Sequence, residues 1–148
     1  MTRETRRLAG VILILVPAVA FGGATLLTLI LGGTPGYLDN EVRQALWRAG
    51  HAHAGVLLIL ALIALRYVDE TTLHGPWLWL ARLGIPTAAS FMPAGFFLSV
   101  LDPAATAPNA LIGLVPAGGL FLVGAVLSLG IGLLRAAPDD AGSAGLGG

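Results

Sequence analysis

Residues 47–65 read WRAGHAHAGVLLILALIAL, an apolar run from Gly55 to Leu65 preceded by two turns that carry Arg48, His51 and His53. The run is too apolar for the surface of a soluble helix, and its ionisable groups are confined to one end. Such groups are costly in hydrocarbon, so inside a spanning helix they mark a place where something happens. The stretch predicts a membrane-spanning helix with its chemistry near one interface.

Composition carries the same message for the whole chain. Of 148 residues, 56% are hydrophobic and 11% charged, and the mean hydropathy is +0.86. A soluble domain of this size needs far more charge to cover its surface. The formal net charge of zero argues against a nucleic-acid partner. All eight basic residues are arginine, and there is no cysteine. Disulfides, thiolate metal sites, iron–sulfur clusters and thiol catalysis are therefore excluded.

Working outward, apolar segments fall at about residues 8–31, 46–67, 77–101 and 109–134. Each is long enough to cross roughly 30 Å of hydrocarbon. Gly32–Asn40, Asp69–Pro76 and Asp102–Pro108 separate them, with the Gly, Pro, Asn and Asp content of turns. Asn40 is placed to cap a helix that starts at Glu41. The expected fold class is all-α: an integral membrane four-helix bundle over residues 1–135, followed by a disordered, Gly-rich tail over 136–148. The first segment has a second reading. Arg6-Arg7, an apolar core and Ala18-Val19-Ala20 match a secretory signal peptide. The apolar run that continues from Phe21 to Leu31 favours an uncleaved span instead.

Arginine placement sets the orientation. Arg3, Arg6, Arg7, Arg66, Arg82 and Arg135 fall on one side, Arg43 and Arg48 on the other. By the positive-inside rule both termini lie in the cytoplasm of a multi-pass cell-membrane protein. Trp77 and Trp79 then sit at the inner interface and Trp47 at the outer one, as aromatic belts require. Prolines within spans one, three and four predict kinks. Gly124, Ser128 and Gly132 form a small-residue stripe on span four, and Ala88, Met92, Gly95 and Ser99 share a face of span three. Such faces let helices approach closely, within the bundle or in a homodimer or larger membrane complex.

At about 100° per residue, His51 and His53 lie about 200° apart and cannot easily chelate one metal. His53 shares a face with Ala49, Gly50, Leu57, Leu60 and Ala64, which predicts that it points into the bundle. His51 shares a face with Trp47, Arg48, Gly55, Leu58 and Leu62, a more lipid-like surface near the outer headgroups. His53 lies about 10 Å below the outer start of its span and Met92 about 14 Å from the outer end of the third. The two can meet if those helices are neighbours. His and Met are an axial pair for haem iron, and bundles hold cofactors between facing helices. Pro116, Gly118 and Gly119 fall at a comparable depth and leave room for a flat ring or for close packing.

Arg48-Ala-Gly-His51-Ala-His53 resembles the second-helix motif of the haem-copper oxidase and nitric oxide reductase catalytic subunits. In that family an arginine or other polar residue precedes a haem-ligating histidine at similar depth. The resemblance implies haem bound at His51, with Arg48 in support, whereas the helical face prefers His53. It covers one helix only. The family's other histidines and many further spans are missing, so copper, oxygen reduction and proton pumping are not implied. The stretch is also similar to helices of small four-span bacterial membrane proteins, which implies no function.

Each candidate has a plainer role. His51 and His53 can bond loop carbonyls, headgroups or water, Met92 can fill a core gap, and Arg48 can anchor at the interface, paired with Asp39 or Glu41. His74 reads as a solvated turn residue, and Thr25, Thr28, Thr87 and Ser90 as bonding their own helix backbones. With no P-loop, no Ser-His-Asp arrangement and no intramembrane carboxylate pair, an enzyme is the weakest class. Two classes remain: a haem- or metal-binding redox or sensing protein using His51, His53 and Met92, and a structural, accessory or small transport protein with no cofactor. The lipid bilayer is a partner in both.

Overall fold

The structure is a computed structural model that describes residues 1–136. Apart from Ala136, the tail expected at 136–148 lies outside the described residues. The regular structure described is helical throughout: α1 (Arg3–Leu31), α2 (Glu41–Tyr67), α3 (Gly75–Leu98) and α4 (Leu114–Arg135), with short 3-10 turns at Val68–Glu70 and Ala110–Gly113. Caps explain the starts. The Thr2 hydroxyl accepts the Thr5 N–H at 3.3 Å, and the Asn40 side chain accepts the Arg43 N–H at 3.0 Å. Each satisfies one of the orphan donors of a first turn. α1 and α2 thus begin several residues before the apolar segments, as Asn40 foretold for α2.

Three segments are long and apolar enough to cross a membrane: Arg3–Leu31, Glu41–Glu70 and Ala110–Arg135. α3 has 24 residues but is less apolar, because it carries Arg82, Pro76, Pro86 and Pro93. Its position accounts for that. α3 packs on α2 along one side and on α4 along the other, whereas α1 packs chiefly on α2. The most enclosed helix needs the least lipid-compatible surface.

Packing of α3 on α4 depends on backbone approach. A Cβ on Gly84 would lie 2.6 Å from the Ala125 Cβ and 2.9 Å from the Phe121 carbonyl oxygen. The span-four stripe is used here too: Gly124 faces Leu80 and Gly132 faces Leu73. Ala61, Ala64, Leu65, Ile85, Ala88 and Ala125 form the centre of the core. Burying these side chains contributes van der Waals contact rather than hydrophobic transfer wherever lipid is the alternative.

Both ends of the molecule are tied across loops. At one end Gly36, with φ +72°, lets the α1–α2 loop press on Pro103 of the α3–α4 loop. There Asn40 donates to the Pro103 and Ala105 carbonyls at 3.0 and 2.9 Å. At the other end the start of α1, the α2–α3 turn and the end of α4 come together, through Thr2 with Asp69 and Gly132 with Leu73. Neighbouring helices therefore run antiparallel, with the ends of the described chain on one side.

Candidate functional site

α2 lies between α1 and α3, so both faces of its histidine turns meet protein. Half-buried His51 points its ring edge at α1. A Cβ on Gly23 would lie 3.0 Å from both Cε1 and Nε2, and one on Gly22 would lie 3.7 Å from Nδ1. The expectation that His51 faces lipid beside Arg48 is therefore corrected. Two adjacent glycines make α1 thin enough for the imidazole to enter the α1–α2 contact.

A cleft of about 240 Å³, open on one side, adjoins this ring and is lined by Val19, Gly22, His51, Leu58, Ser90 and Phe97 among others. Its polar side chains are His51 and Ser90. The Ser90 hydroxyl donates to the Pro86 carbonyl at 3.1 Å, an acceptor of its own helix. Thr25 and Thr28 bond their own helix in the same way, to Phe21 and Ala24. The His51 ring nitrogens make no hydrogen bond among the described residues, and so His51 is the free polar head of an apolar cleft.

His53 faces α3, as its helical face predicts. Its Nδ1 lies 2.8 Å from the Ala49 carbonyl oxygen, and its ring centroid is 5.1 Å from that of Phe96. With the proton on Nδ1 donated to that carbonyl, Nε2 keeps the lone pair. Met92 lies one turn before Phe96 but runs along α4, where a Cβ on Gly118 would meet its Cγ at 2.7 Å. The aromatic neighbour of His53 is thus Phe96, and Met92 fills the α3–α4 contact. Arg48 is exposed and donates to the Gln44 side chain at 3.2 Å, not to Asp39 or Glu41. His74 is exposed just before α3. Among the described residues no group of three or more His, Cys, Asp and Glu could hold a metal ion.

Two polar clusters escaped the sequence reading. Asp69, in the turn after α2, accepts from the Thr2 N–H, from the Thr5 hydroxyl at 2.9 Å and from Arg82 of α3 at 3.0 Å. Arg82 also donates to the Thr2 hydroxyl at 3.1 Å. At the opposite end Arg43 lies over the Trp47 ring at 4.2 Å and donates to the Gly36 and Leu101 carbonyls at 2.9 and 3.2 Å. The first cluster had a usable signal. Arg82 lies five residues inside the third apolar segment, and the rule that singles out His51 and His53 applies to it equally. The second had none, since it rests on loop carbonyls.

No family model, no curated protein and no solved structure matches this chain.

Proposed function

We propose that the protein is a four-pass integral membrane protein with both termini cytoplasmic. In this reading it is a non-catalytic binding or accessory protein. Its ligand is small and largely apolar and enters the His51 cleft from the bilayer. Three apolar helices support the membrane reading, and the packing of α3 between α2 and α4 supports a fourth span beside them. The arginine-rich end takes the cytoplasmic side.

The observation that carries the reading is the unbonded imidazole of His51 at the head of an apolar cleft. Ligand sites are mostly apolar with a few polar groups that fix orientation. A cleft of about 240 Å³ suits a single ring or short chain and not a macrocycle. The test is extraction and mass spectrometry of what co-purifies in mild detergent. A defined apolar compound should accompany the wild type, fall in His51→Leu and vanish in Gly22→Leu, which fills the cleft from α1. An extract holding bulk lipid alone would sink this reading.

A haem reading rests on a different observation, the His53 Nδ1 contact with the Ala49 carbonyl, which leaves Nε2 to coordinate a metal. Absorbance spectroscopy separates the two. A Soret band lost in His53→Ala and kept in His51→Ala favours haem at His53, and no band even after haem supplementation rules haem out. A homodimer, the other partner the small-residue faces predict, would need surfaces beyond Gly84, Gly118 and Gly132, which intrachain packing already uses.

A further inference from the structure

We infer that a second cleft, between α3 and α4 at the arginine-rich end, binds one acidic phospholipid with its phosphate at Arg135 and an acyl chain along α4. The cleft has a volume of about 370 Å³ and is lined by Leu73, Trp77, Gly124, Leu127, Ser128, Ile131 and Arg135. The α4 contributors recur at the spacing of a single helix face and put one cation at the end of an apolar trough. From Gly124 to Arg135 the trough rises about 16 Å, close to the depth of one leaflet of a roughly 30 Å hydrocarbon core. Its one side-chain hydroxyl is already spent, since Ser128 donates to the Gly124 carbonyl at 2.7 Å. Chain-binding and head-binding groups are thus separated along the helix as they are along a phospholipid.

Charge selects the headgroup. Arg135 is exposed at the last turn of α4, and its planar guanidinium can pair with phosphate through two hydrogen bonds. Trp77, 62% exposed, flanks the mouth with the amphipathic ring that interfaces favour. Basic pockets between spanning helices on the cytoplasmic side are a recurrent site for anionic headgroups. The inference rests on the membrane-spanning reading and its orientation, and is independent of the His51 cleft.

The probe is the full-length protein reconstituted separately into vesicles of phosphatidylcholine and of phosphatidylcholine with phosphatidylglycerol, then extracted and weighed by native mass spectrometry. One phosphatidylglycerol should stay bound at roughly fivefold the occupancy expected from its share of the mixture, the effect of one arginine near a charged surface. Arg135→Gln should remove that preference while the protein still inserts into both vesicles. Leu127→Trp, which fills the trough from the lipid side, should remove the bound lipid altogether. Equal retention of the two lipids by the wild type, or a preference that survives Arg135→Gln, would overturn the site. Failure to insert into either vesicle would instead overturn the membrane reading.

Discussion

Two polar clusters sit in the same helices and have opposite hydrogen-bond balances. Around Asp69 the carboxylate takes donors from Thr2, Thr5 and Arg82, which joins the start of α1, the turn after α2 and the first turns of α3. Around His51 a titratable ring faces two glycines and an apolar cleft and bonds to nothing described, while His53 bonds only to its own helix. The rule that ionisable groups within spans are sites flags Arg82 of the first cluster and His51 of the second alike. What separates them is whether partners are already supplied. Paired charges hold helices together, and an unpaired ring is available to a ligand.

The largest effect should come from breaking the paired cluster. Asp69→Ala leaves the Arg82 guanidinium, 7% exposed, without its counter-ion. Losing one partner of a buried pair costs about 3–5 kcal/mol. Reversible unfolding in mixed micelles should show a loss of that size, and Asp69→Asn, which keeps one acceptor oxygen, a smaller one. The double change Asp69→Leu, Arg82→Leu should recover much of the deficit, since no stranded charge remains. A single-variant loss under about 1 kcal/mol would erase the contrast between the clusters.

Next in size is the α3–α4 contact. Gly84→Ala forces a Cβ against a neighbouring Cβ and a backbone oxygen, neither of which can rotate away. Overpacking of this kind costs about 1–3 kcal/mol. Gly130→Ala, on the same pair of helices but with nothing within 4 Å of the added carbon, should stay within about 1 kcal/mol of wild type. If the two variants unfold alike, close approach at Gly84 is not what holds these helices.

How much of this was legible in the chain follows from the range of each signal. Apolar run length and turn residues placed four helices to within a few residues, and Asn40 was identified as a cap because capping is local. The direction of His53 was legible because the small residues Ala49, Gly50 and Ala64 shared its face. The direction of His51 was not: its large apolar neighbours looked lipid-facing, and the Gly22–Gly23 step that receives it lies in another helix. Met92 matched His53 in depth, but depth carries no angle, and the side chain turns to Gly118. Arg82 reads only as an orientation signal in the chain, because its partners Asp69 and Thr2 lie 13 and 80 residues away, beyond the reach of helical spacing.

A smaller effect on stability, with a larger one on binding, is expected at the unpaired ring. Gly23→Ala places a carbon 3.0 Å from the His51 ring, so the imidazole must shift by a few tenths of an ångström. Unfolding free energy should move by less than about 1 kcal/mol, since a half-buried side chain in a cleft can give way. Retention of the co-purifying ligand should fall, and His51→Leu should lower it further. His53→Ala should leave retention unchanged while costing about 1 kcal/mol for the lost bond to Ala49. Equal loss of ligand in both histidine variants would mean that the two faces of α2 serve one site.

The smallest effect is expected at Arg48. In the structure Arg48 is exposed and bonds Gln44, a full turn earlier on its own helix. An exposed side chain with one such contact should change stability by no more than about 0.5 kcal/mol when replaced by glutamine. Ligand retention should be equally unmoved, because Arg48 does not line the His51 cleft. If Arg48→Gln releases the ligand as fully as His51→Leu, the binding site extends to the outer interface. The free ring of His51 would then be one end of a longer polar path, and the division between a paired and an unpaired cluster would have to be redrawn.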